Sequence, residues 1–196
     1  MAKWGSVDYR QLQALQKRLQ EMDDLNAKFC QEAAKELAAR LLAKVIRRTP
    51  VGQKPTIQGP KTMKVEGASG KKRTMLTAEG ARIERYWAGY VGGTLRRGWT
   101  GGKKQDAASY AQSLPVTQSG DVFEIDIINP VDYAPYVEYG HRQTPGRYVP
   151  ALGKTLKQAW VPGKLMLTKS EIELAKQTPA ILEKKLQKYL EEVFNQ

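Results

Sequence analysis

The chain has 196 residues, enough for one ordinary domain with a packed core, and its 32 lysines and arginines outnumber 20 acidic residues to give a net charge of +12. No run of residues approaches the roughly 20 apolar side chains that a membrane span requires, and the stretch MAKWGSVDYRQLQ lacks the apolar core of a signal peptide. A single cysteine, Cys30, excludes an internal disulfide framework. These features predict a protein of a reducing, cytosolic compartment.

The positive charge is concentrated in one stretch of the chain. Residues 40–110 hold 16 basic and four acidic residues, so they account for the whole excess, and the remainder of the chain is neutral. A regional excess of this kind indicates an arm that faces an acidic partner. The alternative is a solvated, flexible segment that its lysines keep in solution.

A long N-terminal helix, or two stacked helices, is predicted over residues 8–48. Proline disfavours helical geometry in the residue before it, so Thr49-Pro50 is expected to end this segment. One continuous helix would extend about 60 Å, so it either bends or packs partly on another subunit. Apolar side chains spaced by three or four residues define its predicted buried stripe: Leu12, Leu15, Leu19, Met22, Leu25, Phe29, Ala33, Leu37, Leu41 and Val45.

The middle of the chain is predicted to be mostly irregular. Residues 51–75 are rich in Gly, Pro and Lys without periodicity, which is typical of a loop, and residues 77–91 have weak helical character. Two strands are expected at residues 113–118 and 121–129, joined by a hairpin turn at Ser119-Gly120-Asp121.

The segment VDYAPYVEYGHR predicts a compact corner that contains a short helix. Proline is accepted in a first helical turn, and Gly140 can adopt the positive φ that ends a helix. Glu138 is placed to meet Arg142 one turn later. The residues leave two readings equally open, a corner that packs within the core and a corner that contacts another subunit.

An amphipathic C-terminal helix is predicted over residues 170–194. Ser170 precedes Glu173 by three residues, as in a capping box, and Pro179 is expected to kink or restart the helix.

Catalytic and metal-binding patterns are largely missing from the sequence. His141 is the only histidine, so paired-histidine metal motifs cannot occur, and neither a GxSxG nor a GxxxxGK[ST] motif is present. The sequence therefore predicts no enzyme, no catalytic, metal or cofactor-binding residue, and no cofactor.

Residues 129–140 read NPVDYAPYVEYG, a string that resembles the signature of a bacteriophage family. That family is typified by gene product ten of the coliphage Hong Kong ninety-seven and is known as a tail component, neck protein or tail-completion protein. Its members carry three landmarks in order. A long helix ends in a Thr-Pro-Val-x-x-Gly-x-Leu-Arg-x-Ser-Trp type of segment, a strand leads to an Asx-x-x-Tyr-Ala-x-Tyr-Val-Glu-Phe/Tyr-Gly corner, and a C-terminal helix follows a Pro-x-x-Met-Leu type of segment.

The first landmark is interrupted in this chain. TPVG at residues 49–52 resembles its opening half. GTLRRGW at residues 93–99 resembles its closing half, with Gly98 in place of the expected serine. Leu95 and Trp99 are expected to pack inward. The third landmark resembles VPGKLML at residues 161–167.

The resemblance and the predicted elements together imply an α+β fold. It has a long N-terminal helix, a small and mostly antiparallel sheet, and a C-terminal amphipathic helix. We expect a single neck or tail-completion domain over residues 1–196, with a basic Gly/Pro/Lys-rich insertion at residues 53–92.

The resemblance also implies a structural virion protein of the head–tail junction, assembled in the host cytoplasm without a membrane. It would form a ring with copies of itself, expected to be six-fold, around the DNA channel. Expected partners are the adjoining connector or head-closure and tail-terminator proteins, with non-specific contact to genomic DNA. The candidate interface residues are Arg96, Arg97, Trp99, Tyr133, Tyr136, Glu138, Tyr139 and Arg142.

A free nucleic-acid-binding protein is the alternative from another class. Basic side chains would neutralise phosphates and aromatic side chains would stack on bases. The residues proposed for this role are Lys71, Lys72, Arg73, Arg96, Arg97, Lys103 and Lys104, with Tyr86, Trp87, Tyr90 and Trp99.

Overall fold

The structure is a computed structural model that describes residues 10–55, 62–66, 71–103 and 105–194, with only the backbone described at residues 10–15, 18–24, 193 and 194. Its fold is α+β, as predicted from the sequence. The helices are α1 (Arg10–Arg48), α2 (Ala78–Tyr86), α3 (Thr94–Gly98), α4 (Ala107–Ser113), α5 (Ala134–Tyr139) and α6 (Met166–Phe194). The strands are β1 (Thr62–Glu66), β2 (Lys72–Leu76), β3 (Thr117–Ser119), β4 (Val122–Glu124), β5 (Gly140–Arg142), β6 (Tyr148–Val149), β7 (Lys154–Thr155) and β8 (Trp160–Pro162).

Within the described residues the strands form four separate antiparallel pairs. The pairs are β1–β2, β3–β4, β5–β8 and β6–β7. The β5–β8 pair places His141 opposite Val161 and so joins the end of α5 to the segment that leads into α6. None of the helices in the described part of the chain combines the length and apolar character that crossing a bilayer demands.

The chain divides into two compact units, each assembled from separated stretches. Unit 1 contains residues 1–43, 105–127 and 171–196, and unit 2 contains residues 44–104 and 128–170. The predicted insertion at residues 53–92 belongs to unit 2. The single domain over residues 1–196 stays a prediction.

Unit 1 is held together by contacts between α1 and α6. The rings of Phe29 and Tyr189 lie 5.1 Å apart, and the ammonium group of Lys185 lies 3.4 Å from the carboxylate of Glu36. Glu36 follows Phe29 along α1, whereas its partner Lys185 precedes Tyr189 along α6, so the two helices run antiparallel. Lys35 donates a hydrogen bond to the carbonyl of Gln112 in α4, at 2.9 Å.

The observed buried face of α1 differs in part from the predicted stripe. Ala33 is buried as expected, but Leu37 and Leu41 are half-buried, whereas their neighbours Ala38 and Leu42 are buried. A helix that packs on more than one element buries a wider face than a single line of side chains, so positions beside the predicted stripe are covered too. The side chains of Leu12, Leu15, Leu19 and Met22 lie outside the described residues.

Thr49, which follows α1, is fully buried in unit 2. Its hydroxyl donates to the carbonyl of Val45 at 2.7 Å and accepts the indole N–H of Trp99 at 2.8 Å. Its carbonyl accepts two hydrogen bonds from the guanidinium of Arg96, at 2.6 and 3.1 Å. We call Thr49, Arg96 and Trp99 the Thr49 cluster. Leu95 and Trp99 are each only 4% exposed, as predicted.

Several predicted boundaries were wrong. Residues 62–66 and 72–76 form a hairpin rather than a loop, because cross-strand pairing satisfies their backbone groups despite the weak apolar pattern. Residues 125–129 are not part of a strand, and Ser113 ends α4 rather than beginning a strand. Helix α6 begins at Met166 and continues through Pro179, and the buried hydroxyl of Ser170 donates to the carbonyl of Met166 instead of capping the helix.

We predict that Thr49→Val lowers the free energy of unfolding by about 1–3 kcal/mol, because the buried indole N–H of Trp99 loses its acceptor. Urea unfolding followed by tryptophan fluorescence measures the change. Thr49→Ser, which retains the hydroxyl, should recover most of the loss, and Thr117→Val on an exposed strand should stay within about 0.5 kcal/mol of wild type. A Thr49→Val chain as stable as wild type would contradict the role of this cluster.

Candidate assembly surface

The segment predicted to form a corner does so within unit 2. Helix α5 follows Tyr133, carries Pro135 in its first turn, and ends at Gly140, whose φ is +90°. Such a φ favours glycine because a Cβ atom is poorly accommodated there. A Cβ at Gly140 would also lie 2.8 Å from the backbone nitrogen of Gly163. We call residues 133–142 the corner.

Glu138 joins the corner to the start of α6. Its carboxylate accepts hydrogen bonds from the backbone N–H groups of Leu167 and Thr168, each at 3.0 Å, and from the Thr168 hydroxyl at 2.8 Å. Free N–H groups at a helix N-terminus favour a negative charge, and an ionised oxygen forms the stronger bonds. Glu138 therefore caps α6 and does not form the predicted pair with Arg142, because its carboxylate points into the protein, with the residue only 6% exposed.

Backbone hydrogen bonds join the same two segments, again with the donors at the start of α6 and the acceptors in α5. The N–H of Lys164 donates to the carbonyl of Val137 at 2.8 Å, and that of Leu165 donates to the carbonyl of Glu138 at 3.0 Å. Leu165 has a φ of +52°, a region that non-glycine residues rarely adopt. The end of α5 and the beginning of α6 thus satisfy one another's free backbone groups.

Opposing effects act on the ionisation of Glu138. Burial alone raises the pKa of this carboxyl, but hydrogen bonds from the backbone N–H groups of Thr168 and Leu167 and from the Thr168 hydroxyl outweigh burial and lower the pKa below its ordinary value. The carboxylate is therefore stabilised in its charged form by the helix that it caps.

The tyrosines of the corner remain largely exposed. Tyr133, Tyr136 and Tyr139 are 46%, 59% and 66% exposed, and Arg142 is exposed as well. The rings of Tyr136 and His141 are perpendicular with centroids 6.2 Å apart. These side chains present apolar rings with polar tips on a backbone that Glu138 fixes in place, a combination common at protein interfaces.

A cleft of about 410 Å³ lies beside Tyr133. Its walls come from both halves of the interrupted landmark and from the corner. The lining is largely apolar and is contributed by Pro50, Val51, Gly52, Tyr90, Gly93, Thr94, Leu95, Tyr133 and Val137.

The remaining candidate interface residues have partners inside the chain. Trp99 and Glu138 are buried, so we reassign both to the framework beneath the surface. Arg96 is held by the carbonyl of Thr49, and Arg97 donates to the carbonyl of Gly92 at 3.0 Å. A role for the two arginines in an interface stays a prediction.

The structure also bears on the alternative nucleic-acid surface. Burial makes Trp99 inaccessible to a base, and the indole N–H of Trp87 donates to the carbonyl of Ala151 at 2.6 Å. Tyr86 is exposed, whereas Lys104 lies outside the described residues. Among the side chains that the structure describes, no three His, Cys, Asp or Glu residues are grouped so that they could hold a metal ion.

Asn129 is a framework residue that the sequence reasoning missed. Its amide donates to the carbonyl of Leu95 at 2.9 Å and its side-chain oxygen accepts the N–H of Val131 at 3.2 Å. A Cβ at Gly98 would lie 2.9 Å from the Cγ atom of Asn129, so a serine at this position would require Asn129 to shift. The Asn-Pro pair predicted only the end of a strand, although asparagine before a turn commonly bonds backbone two residues on.

We predict that Glu138→Gln lowers the free energy of unfolding at neutral pH by about 1–3 kcal/mol, because the buried cap loses its charge. The folded pKa is lowered, so the stabilisation is complete above the ordinary value near 4.5 and is lost as the pH falls through the folded value. The difference in the free energy of unfolding between wild type and Glu138→Gln should therefore decrease as the pH falls. Urea titrations from neutral to acidic pH measure it, with exposed Glu124→Gln as the matched control; a gap independent of pH would contradict the charged cap.

Comparison with known proteins identifies the family of this chain. Residues 13–140 match the model of the family described as "Bacteriophage HK97-gp10, putative tail-component". No curated protein and no solved structure is found to be significantly similar. The matched region extends from the long N-terminal helix to Gly140, the glycine that follows α5, so it includes both halves of the interrupted landmark and the segment between them. The chain therefore belongs to the HK97-gp10-like family and is a bacteriophage tail component, a protein of the virion.

Proposed function

We propose that this protein is a structural component of the phage head–tail junction, a neck or tail-completion protein without catalytic activity. The observation that carries the proposal is the corner of a tail-component family member, in which exposed Tyr136 and Tyr139 stand on a backbone fixed by the buried Glu138 cap. Exposed tyrosines on a rigid support suit an assembly contact, because little conformational entropy is lost when they are covered.

The protein forms a ring of identical copies, with six-fold symmetry, around the channel through which the DNA passes. A ring needs two different surfaces on each copy that fit one another. The corner with its adjacent 410 Å³ cleft supplies one surface. The β1–β2 hairpin supplies the other, because all ten residues of its two strands are exposed and an isolated two-stranded hairpin is at best marginally stable in water.

The basic insertion extends the ring towards an acidic neighbour. Lys71, Lys72 and Arg73 are exposed at the second strand of the hairpin. We assign these three basic side chains, as distinct from the rest of the hairpin, to an adjoining connector, head-closure or tail-terminator protein in preference to the DNA, because tightly held DNA would hinder ejection. Assembly takes place in the host cytoplasm before head and tail are joined.

Cryo-electron microscopy of the intact virion tests the location. We expect six copies of this chain around the axis between head and tail. The same chain found in the capsid shell or at the distal end of the tail would contradict the proposal, and a different copy number at the junction would correct the symmetry alone.

A complementation experiment tests the corner. In a phage that lacks its own copy, the supplied Tyr136→Ala/Tyr139→Ala chain should reduce infectious particles by roughly tenfold or more, since a tyrosine at an interface hot spot contributes about 2 kcal/mol or more. Unjoined heads and tails should accumulate while the free energy of unfolding of the purified chain stays near wild type, because both side chains are exposed. Tyr148→Ala, an exposed tyrosine elsewhere in unit 2, is the control. Normal yields from the double variant would contradict the role of the corner.

A further inference from the structure

A second basic surface lies in unit 1, outside the corner and the insertion. A groove of about 750 Å³ separates α1 from α6, and five of its nine lining residues are cations. They are Arg40, Lys176, Lys184, Lys185 and Lys188. Glu36 is the single acidic residue in the lining, but Glu32 and Glu192 lie 3.9 Å from Lys185 and 3.6 Å from Lys188, so the groove with these neighbours carries two positive charges in excess.

Two of these cations are already paired with Glu36. Arg40 approaches the Glu36 carboxylate to 2.7 Å and Lys185 approaches it to 3.4 Å. Lys188 lies 3.6 Å from Glu192 on the exposed side. Lys176 and Lys184 are exposed and have no hydrogen bond or ion pair with the residues that the structure describes. Both of these ammonium groups are therefore available to an anionic ligand.

The lysines of α6 are arranged as a row. Lys176, Lys184 and Lys188 are separated by multiples of four residues, so they share one face of the helix over about 18 Å. A row of separated charges suits a ligand whose negative charges repeat along a line, rather than a single small anion. Lys185, the residue after Lys184, lies outside this row and pairs with Glu36 of α1.

The composition of the groove favours nucleic acid over an acidic protein segment. Only Ala180 and Ile181 among its lining residues are apolar. Protein–protein interfaces are depleted in lysine and have an apolar centre, whereas interfaces with nucleic acid are polar and strongly positive. The lining contains no aromatic side chain that could stack on a base, which favours contact with the phosphate backbone.

We propose that the α1–α6 groove binds the phosphate backbone of DNA without sequence preference, with Lys176 and Lys184 as its principal contacts. The binding is electrostatic and weakens steeply with salt because counterions leave the DNA when phosphates are neutralised. The proposal concerns the isolated chain and does not depend on a ring or on a position at the head–tail junction.

The test measures the affinity of the full chain for a fluorescein-labelled DNA duplex of random sequence, by anisotropy, between about 50 and 200 mM NaCl. Wild type should bind the duplex at the lowest salt concentration, about 50 mM NaCl. The Lys176→Gln/Lys184→Gln chain should bind more weakly, and the slope of log affinity against log salt should decrease in magnitude by about 1.8, or about 0.9 for each lost phosphate contact. Glutamine has a helical propensity close to that of lysine and removes the charge.

The matched control is Lys154→Gln/Lys157→Gln, which removes the same net charge from exposed positions in unit 2. This control should retain the wild-type slope. Three results would overturn the proposal: no binding by wild type at about 50 mM salt, an unchanged slope in the groove variant, or an equal loss in the control. The proposal would also be overturned if the salt slope decreased only in the Lys71→Gln/Lys72→Gln chain. That result would assign the DNA contact to the insertion. Preferential binding of poly-glutamate over DNA would assign the groove to an acidic protein.

Discussion

The buried carboxylate of Glu138 at the N-terminus of α6 is the interaction on which the proposed assembly surface depends. It joins a six-residue helix, too short to be stable alone, to the first turn of a 29-residue helix. The N–H groups of Lys164 and Leu165 return to the carbonyls of α5, so both helix ends are satisfied together. These hydrogen bonds require a very close approach of the two segments, which glycine at positions 140 and 163 allows.

The Thr49 cluster has the corresponding role for the interrupted landmark. Thr49 and Trp99 are 50 residues apart in sequence, yet a 2.8 Å hydrogen bond joins them in a buried position. The intervening stretch can be long because the entropic cost of closing a loop rises only with the logarithm of its length. An insertion at this point therefore leaves the surrounding framework intact and is free to acquire residues for another purpose. The exposed hairpin and its basic residues lie within such a stretch.

Charge averaged along the sequence conceals one of the basic surfaces. Outside residues 40–110 the acidic and basic residues balance, which gives no indication of a basic site. The helical repeat nevertheless places Lys176, Lys184 and Lys188 on one face of α6, and packing on α1 adds Arg40. The sequence alone could have shown the row on α6 through its four-residue spacing. It could not have shown that α1 supplies the opposite wall, because that depends on which helices pack together.

The sequence by itself determined the α+β class, the end of α1 before Pro50, the short helix of the corner, and the inward packing of Leu95 and Trp99. The end of α1 and the short helix follow from local backbone geometry and from the periodicity of apolar residues, which are properties of neighbouring positions. The α+β class and the inward packing of Leu95 and Trp99 also needed the family resemblance. Only the tertiary structure decided the partners of Glu138, Thr49 and Asn129, because a hydrogen bond between distant segments leaves no periodic pattern in the chain. The tertiary structure also decided that α6 starts at Met166. Glu138, 28 residues earlier, supplies the cap that a local motif at Ser170 was expected to provide.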